Sequence, residues 1–376
     1  MLTSESRQTD FPSLADRAYL NTAAEGIPPR AVLDALARYG EDRLLGMDGR
    51  LKHEVVYEQA KSAVAQAYGL SAAEIGICSC TSEAYNLAAL ALHLEPGDEV
   101  IINDLDFPSG ATAWLQPSCA AEARVWRARE GALRVEDLVQ LLSPRTRFVT
   151  TSLVSFYNGS AVPLPAVLEA VRAHSPGLLA VDVTQALGRI PLDLAGVDLI
   201  VSSTHKWILG SHGGGLVGVP RARTEEWTVP AGGWFNLREP FRDREFEAVD
   251  SLSGAASFSV GMPNYGAVYA ALAGLDYVQG VGIAAIDAHC KPLVAACLEG
   301  LKELPVELLT PDEPEAIAGI LSIRHPQSDR ILHELHKRNI HIMGHAGRLR
   351  IAIHGYNTMD DVERLLRQLR GILDRL

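Results

Sequence analysis

A lysine and an aspartate stand directly after two apolar runs of this sequence. Lys206 closes a polar stretch that follows residues 199–201, and Asp182 follows residues 178–181, with Gln185 three positions later. A lysine amine can form a Schiff base with an aldehyde, and a carboxylate keeps a nearby basic nitrogen protonated because opposite charge favours the charged form. Taken alone, each residue has an ordinary explanation, as a solvated lysine or a strand-end carboxylate.

Two further polar clusters follow apolar runs in the same way. Thr81 and Ser82 stand at the start of a predicted helix, where they could be simple N-cap residues or part of a phosphate site. Phe107 comes shortly after residues 99–103 and offers a flat ring for stacking, unless it belongs to the core. Pyridoxal 5′-phosphate (PLP) requires a lysine, a carboxylate, a phosphate cup and a stacking ring together. The four clusters together therefore predict a PLP site.

The elements that must position these residues are short apolar strands alternating with amphipathic helices. This pattern indicates an α/β fold with a buried, mostly parallel sheet, which binds its ligands at the carboxyl ends of the strands. The predicted strands are Ile75–Ser79, Glu99–Asn103, Phe148–Ser152, Leu178–Val181, Leu199–Ser202 and Gly215–Val219, and the helices between them include Ser82–His93, Val135–Leu142 and Leu164–Ala173.

The alternation of strands and helices ends at about residue 265, where two consecutive helical patterns precede a smaller α+β unit. We therefore predict a large domain over residues 15–265 and a small domain over 266–376, with residues 1–14 packing on the latter. The predicted elements of the small domain are helices Tyr265–Val278, Ile283–Leu304, Ser328–Arg338 and Asp360–Leu376 and strands Ile317–Arg324 and Arg348–Ile353.

The charge and the apolar content of the chain limit the kinds of molecule that it can bind. The chain has 376 residues and a formal net charge of −12, which argues against nucleic acid or an anionic membrane as its main partner. The first ten residues lack the apolar core of a signal peptide, and no apolar run reaches the ~18 residues of a membrane span. Five cysteines predict reduced thiols in a cytoplasmic protein, with Cys78 and Cys80 as strand residues.

Other catalytic motifs fit less well. The glycine-rich stretch 210–218 follows a lysine and leads into a strand, which is the wrong context for a dinucleotide fingerprint or a P-loop. Four histidines between residues 333 and 345 have no acidic or cysteine partners at metal-ligand spacing, so we predict no metal site. The sequence has no Gly-x-Ser-x-Gly motif.

Four motifs together resemble the class V aminotransferase family of fold-type I PLP enzymes. They are Ser203-Thr-His-Lys206, Asp182-x-x-Gln185, Thr81-Ser-Glu-Ala84 and Arg350-Ile-Ala-Ile-His-Gly-Tyr-Asn-Thr358. The family includes cysteine desulfurases, selenocysteine lyases, isopenicillin-N-epimerase-like proteins and kynureninases. The similarity runs from Tyr19 to the closing helix, and it implies a large PLP-binding domain followed by a smaller C-terminal one.

The resemblance also implies a role for each site residue. Lys206 would hold PLP and move the proton at the substrate Cα, Asp182 would pair with the pyridine nitrogen, and Gln185 would bond the phenolic oxygen. The phosphate would be held by Thr81, Ser82, Ser203 and His205, and the substrate by Arg350, Ala24, Asn158 and His354. A homodimer is expected, with the backbone of Met262 approaching the phosphate of the partner.

Departures from the desulfurase pattern bear on the reaction. Phe107 stands where desulfurases stack a histidine on the cofactor, as in the kynureninase and epimerase-like branches. Desulfurases also carry a nucleophilic cysteine just before the arginine that binds the substrate carboxylate, whereas residues 340–348, before Arg350, contain no cysteine. A persulfide mechanism therefore lacks an evident nucleophile. We expect transamination of a small α-amino acid, with an epimerase-like or C–S lyase reaction as the alternative. Cysteine desulfuration and a non-catalytic binding role are less favoured.

Overall fold

The computed structural model describes residues 1–241, 248–313 and 316–376. The helices are α1 (Ser4–Asp10), α2 (Arg30–Arg43), α3 (Met47–Tyr68), α4 (Thr81–Ala91), α5 (Pro108–Ala111), α6 (Val135–Leu141), α7 (Leu164–His174), α8 (Tyr265–Val281), α9 (Ile283–Lys302), α10 (Ser328–His336) and α11 (Met359–Leu373). The strands are β1 (Ala18–Tyr19), β2 (Ile75–Cys78), β3 (Glu99–Asn103), β4 (Glu122–Trp126), β5 (Thr146–Ser152), β6 (Leu178–Asp182), β7 (Leu199–Ser203), β8 (Gly215–Gly218), β9 (Glu307–Leu308), β10 (Ile320–Arg324), β11 (Ile340–His341), β12 (Met343–His345) and β13 (Arg348–Ala352).

Seven strands form the large sheet, in the order β2-β8-β7-β6-β5-β3-β4. Strand β8 runs antiparallel to both of its neighbours, and the other adjacent pairs are parallel. The carboxyl ends of β2, β3, β5, β6 and β7 consequently lie at one edge of the sheet. The predicted α/β fold, with a mixed, mostly parallel sheet between helices, is confirmed.

Both faces of this sheet are buried. Successive residues of a strand point to opposite faces, and Phe148 and Val149 of β5 accordingly belong to two different hydrophobic clusters. The cluster that contains Val149 also takes in residues of α3 and α8. Burial on both sides explains why these strands are nearly continuous runs of Val, Ile and Leu. The six strands predicted for this sheet all appear, within one or two residues of their observed ends.

A smaller four-stranded antiparallel sheet, β12-β13-β10-β9, forms near the C-terminus. Its hydrophobic cluster includes residues of α9, α10 and α11 together with Phe11 and Leu14 from the start of the chain. Arg7 also forms an ion pair with Asp361 at 3.0 Å. The smaller α+β unit is thus observed, whereas the exact division into two domains at residue 265 stays a prediction.

The N-terminal segment connects the small sheet to the large one. Strand β1 pairs in parallel with β11, placing Ala18 opposite Ile340, and Asn21 forms a bridge with Ala352. Further on, the amide of Gly26 donates to the His205 carbonyl at 2.8 Å. A Cβ atom at Gly26 would lie 2.0 Å from the Lys206 carbonyl oxygen, so only glycine allows this approach.

Within the described ranges, no single helix is both long and apolar enough to span a membrane. The pair α8 and α9 passes that test only jointly, and the two helices are bent by 73° at the break between them.

Candidate active site

Lys206 lies at the edge where the carboxyl ends of the parallel strands meet. It follows β7, and its Nζ lies 5.2 Å from the centroid of the Phe107 ring. Phe107 stands after β3 with 45% of its surface exposed. Its ring meets Phe156, which follows β5, edge to face at 5.1 Å. The Lys206 amine and the rings of Phe107 and Phe156, which follow three different strands, therefore lie close together at this edge of the sheet. The sequence predicted this proximity for Lys206 and Phe107.

Burial changes the acid–base behaviour of this lysine. Desolvation lowers the pKa of Lys206 to about 8, with Arg350 also lowering it and Asp182 and Glu25 raising it. No described carboxylate lies close enough to form an ion pair with Lys206. A lysine with such a pKa has a substantial neutral fraction near physiological pH, which both Schiff-base formation and proton transfer require.

Asp182 is a buried carboxylate at the end of β6. Its Oδ1 accepts a 2.7 Å hydrogen bond from the Thr184 amide, and Thr184 Oγ1 accepts from the Ser203 amide at 3.0 Å. Burial raises the pKa of Asp182, while the Thr184 bond and Lys206 lower it. Among the described residues no cation lies within ion-pair distance of Asp182. A protonated pyridine nitrogen would provide the missing charge partner, so this carboxylate fits PLP.

Asp106 is a functional candidate that the sequence interpretation passed over, although it directly precedes Phe107. Its carboxylate accepts from the Ser152 amide at 2.7 Å and from Asn103 Nδ2 at 2.9 Å. Burial raises the pKa of Asp106 to about 7, against the lowering effect of these hydrogen bonds. The bonds tie the end of β3 to β5 and so fix the turn that presents Phe107.

The predicted phosphate residues provide unpaired donors. Helix α4 begins at Thr81, and its N-cap residue Cys80 makes no side-chain hydrogen bond to the helix. The free N–H groups of such a helix end attract phosphate. The Oγ of Ser203 is buried without a hydrogen-bond partner. A buried hydroxyl without a hydrogen-bond partner is unfavourable unless a ligand provides one. This end of the site therefore also fits PLP.

His205 lies beside Lys206 and stacks on His212, with ring centroids 4.4 Å apart. Burial lowers the pKa of His205 to about 4, with Lys206 and His212 adding to the effect, so its ring is neutral at pH 7. His212 also contacts the Glu25 carboxylate at 3.0 Å. Of the residues that the structure describes, these three form the one group whose ligand atoms could surround a metal ion.

Gln185 and His354 form a connected group around Trp207. Gln185 Oε1 accepts from Trp207 Nε1 at 2.7 Å, and its Nε2 donates to the Ala23 carbonyl at 3.1 Å. His354 Nε2 donates to the Trp207 carbonyl at 2.9 Å. Burial lowers the pKa of His354 to about 3, so the ring is neutral. The bond to Ala23 attaches the segment that contains Ala24 to Gln185, and the two bonds to Trp207 hold the residue next to Lys206.

Arg350 lies in the small sheet and reaches the end of β5. Its Nη1 donates to the Phe156 carbonyl at 2.9 Å, while its buried Nε has no hydrogen-bond partner. Burial lowers the pKa of Arg350 to about 9, and the neighbouring Arg348 contributes. A guanidinium with a free Nε–H can bind a carboxylate with two hydrogen bonds.

The structure leaves two predicted residues apart from this group. Asn158 Nδ2 donates to the Gly131 carbonyl at 2.7 Å and the Leu309 carbonyl at 3.2 Å, and its Oδ1 accepts from the Ser160 amide. Because its whole amide is engaged with backbone, a substrate would have to displace one of these bonds. Met262 lines a separate cavity of about 490 Å³, with its sulfur 3.9 Å from Arg50.

The five cysteines are all free, and none precedes Arg350 closely. Cys78 lies in β2 as predicted, but the prediction for Cys80 was wrong, since it is an exposed residue that caps α4 at the phosphate end. Where desulfurases carry a cysteine loop, β12 and β13 are joined by Ala346 and Gly347 alone. Their φ values of 50° and 81° are those of a tight hairpin turn.

Comparison with known proteins gives a consistent result. The family model described as Aminotransferase class-V matches residues 18–365. The chain is 25% identical over 362 residues to the uncharacterized aminotransferase YcbU of Bacillus subtilis, covering 96% of this chain and 95% of that protein. It is 27% identical over 401 residues to a cysteine desulfurase of Pectobacterium atrosepticum, covering 97% of each.

Solved structures share the fold. The apo structure of a cysteine desulfurase from Thermococcus onnurineus NA1 has a TM-score of 0.90 at 22% identity, covering 100% of this chain and 99% of that one. The cystine C–S lyase C-DES, in complex with its reaction product cysteine persulfide, has a TM-score of 0.86 at 22% identity, covering 96% and 99%. The family match spans both sheets and every residue around Lys206 described above. The protein therefore belongs to the aminotransferase class-V family and is a PLP-dependent enzyme.

Proposed function

We propose that the enzyme acts on the amino group of a small α-amino acid and that its reaction is a transamination. The observation that carries the proposal is the convergence of Lys206, Asp182 and Arg350, three charged groups without ion-pair partners in the described chain. Asp182 and Arg350 are buried and Lys206 is half-buried. Bound PLP supplies an electron sink that loosens the hydrogen on the Cα of an attached amino acid.

The residues then have separate tasks. Arg350 binds the α-carboxylate and orients the Cα hydrogen towards the amine of Lys206. Lys206, in its neutral form, takes the proton from Cα. Asp182 would keep the pyridine nitrogen of bound PLP protonated, and Phe107 would stack on its ring. Ser203, with the first N–H groups of α4, holds the phosphate.

An epimerase-like or C–S lyase reaction is the second candidate, because it begins with the same proton removal. The observation that favours these reactions over cysteine desulfuration is the two-residue hairpin at Ala346 and Gly347, which leaves no cysteine beside the substrate arginine. Cys80 stands instead at the start of α4, the expected phosphate end. The curated relatives include both an aminotransferase and cysteine desulfurases.

We further propose a cytoplasmic homodimer that has no nucleic-acid or membrane partner. The net charge of −12 supports the absence of nucleic-acid and anionic-membrane partners. The dimer is supported by an apolar surface, which we call the α2–α3 patch, formed by Leu44, Leu45, Met47, Leu51 and Val55. Leu44 is the most exposed of these residues, with 87% of its surface accessible. Met47 lines the same cavity as Met262, so a second copy on this patch would also cover the segment expected to approach the partner's phosphate.

The test combines covalent labelling with product analysis. Borohydride treatment of the holoenzyme should fix PLP to Lys206, and Lys206→Ala should remove the label. The wild type is then incubated with a panel of amino acids. Keto acid without ammonia or sulfide supports transamination, sulfide or ammonia supports a lyase, and exchange of the Cα hydrogen with D₂O accompanied by inversion supports an epimerase. Labelling at another lysine would refute the proposed site.

A further inference from the structure

Two arginines lie side by side on β13, although the proposed function uses only one. Arg348 and Arg350 face the same side of the small sheet, since alternate residues of a strand do so. Both are buried, with 5% and 2% of their surfaces exposed. The described residues include no carboxylate within 4.0 Å of either guanidinium.

This arrangement is unusual because buried cations are normally paired. Burial lowers the pKa of both arginines. Arg324, opposite Arg348 in the register of β10 and β13, shows the ordinary alternative. It is partly exposed and forms an ion pair with Glu307 at 2.7 Å. The two buried arginines thus form a positive pair that the described chain does not neutralise.

The two side chains are held in place by adjacent carbonyls. Arg348 Nη1 donates to the Tyr157 carbonyl at 2.5 Å, and Arg350 Nη1 donates to that of Phe156 at 2.9 Å. No partner in the described chain accepts from the remaining N–H groups of Arg348. The guanidinium carbon of Arg348 also lies 5.3 Å from the Phe156 ring centroid.

Phe156 connects this pair to the site, because its ring packs against Phe107, the ring nearest to Lys206 Nζ. Arg350 lies near enough to lower the pKa of Lys206, and Arg348 near enough to lower that of Arg350. The contacts of Arg348 with Phe156, of Phe156 with Phe107 and of Phe107 with Lys206 connect the arginine pair to the lysine. The two guanidiniums are positioned to bind anionic groups at two points of one molecule.

We infer that Arg348 is a specificity residue and that the substrate carries a second anionic group, a carboxylate or sulfinate on its side chain. This inference rests on the proposed function, in which Arg350 takes the α-carboxylate. Arg348 then takes the side-chain anion with its free N–H groups, while the rings of Phe156 and Tyr157, 5.3 and 4.3 Å from its guanidinium carbon, hold that group in place. Neutral amino acids would leave the Arg348 charge unpaired.

The test uses unreactive probes on the holoenzyme, so that binding is measured apart from turnover. Succinate and butyrate have the same four-carbon length, lack an amino group and differ in one carboxylate. Calorimetric titration of the wild type should show succinate binding at least tenfold more tightly than butyrate. Arg348→Met should reduce that ratio below threefold without weakening butyrate, and Arg348→Lys should retain part of the preference. Arg324→Met, which removes a paired arginine from the same face, should leave the ratio unchanged.

A kinetic comparison adds a second readout. In the wild type, kcat/KM for aspartate or glutamate should exceed that for asparagine or glutamine at least tenfold, mainly through KM, and Arg348→Met should remove the difference. Equal binding of succinate and butyrate by the wild type would overturn the inference. So would an Arg348→Met variant that weakens both probes equally, since that marks a structural role. Borohydride labelling at Lys206 tests the proposed function separately, so the two failures can be told apart.

Discussion

At the scale of single residues, the site combines unpaired charge with strong burial. Lys206, Asp182 and Arg350 each have a pKa moved by desolvation away from the usual range of that residue type. Shifts of this kind concentrate where chemistry takes place, because the groups are held for a ligand that completes them. Ser203 shows the same property without charge, as a buried hydroxyl with no partner.

The pKa of Lys206, about 8, gives a pH prediction for cofactor capture. Only the neutral amine attacks an aldehyde, so capture of PLP by the apoprotein should accelerate about tenfold per pH unit below 8 and level off above it. Stopped-flow absorbance over pH 6 to 10 measures this rate. Asp182→Asn removes a carboxylate that raises the Lys206 pKa, so its midpoint should move to lower pH. A wild-type midpoint near 10 would contradict the effect of burial on this lysine.

Arg350→Lys tests the carboxylate clamp. Lysine keeps the charge but cannot form the two-pronged contact, so KM for α-amino acids should rise by roughly 10-fold or more, which corresponds to about 1.4 kcal/mol. PLP binding, followed by its absorbance, should be unchanged. Simple amines, which have no α-carboxylate, serve as the control and should be affected little. Equal damage to amines and amino acids would show that Arg350 acts on something other than the carboxylate.

At the scale of elements, the alternation of strands and helices predicted six of the seven strands of the large sheet. Strand β3 appears with the bounds that its apolar run predicts, since a strand buried on both faces needs a continuous run. Helices α2 and α3 and the edge strand β4 were not predicted. Strand β4 reads Glu-Ala-Arg-Val-Trp and lacks such a run, because an edge strand is only partly covered.

The grouping of the candidate site residues was predictable to a similar extent, while their roles stay a prediction. Strand ends gave Lys206, Asp182 and Phe107, because parallel strands bring their carboxyl ends together. The charge environment of Arg348 could not be read from the sequence, since it depends on the register of β13 with β10 and on the carbonyl of Tyr157. It was likewise not evident from the sequence that the Asn158 side-chain amide forms hydrogen bonds with backbone carbonyls.

The hairpin between β12 and β13 leads to a prediction about thiols. Because Ala346 and Gly347 leave no cysteine loop there, a variant with all five cysteines replaced by serine or alanine should keep most of its activity. Mass spectrometry of the wild type incubated with cysteine should find no persulfide on the protein. Cys80→Ser is the informative single change, since this thiol is exposed near the phosphate end. Loss of turnover with intact PLP absorbance in that variant would point to a thiol mechanism.

At the scale of the whole molecule, the α2–α3 patch stands out from an otherwise acidic surface. Its apolar side chains cluster at the junction of the two helices, whereas isolated exposed apolar residues occur on most proteins. Symmetric dimers are the commonest oligomers, and a self-complementary patch suits them.

We therefore expect sedimentation to give twice the 40.6 kDa mass of one chain. Leu51→Asp combined with Val55→Asp should yield monomers with reduced activity, because charges on both sides of the interface repel and lose their solvation. Leu90→Asp is the matched control, since Leu90 is comparably exposed but lies on α4, and it should remain dimeric. A fully active wild-type monomer at high dilution would refute the dimer.

The path of the N-terminal segment also sets when the enzyme can become complete during synthesis. Residues 18–26 leave the ribosome early, yet Ala18 pairs with Ile340 and Asn21 with Ala352. At about 5–20 residues per second, the partners of this segment emerge roughly 20 to 60 s after it does. Until then the segment that carries Ala24 has its contacts to Gln185 and His205 but lacks those to the small sheet. The nascent chain should therefore complete its PLP site only after β11 and β13 have emerged, late in its synthesis.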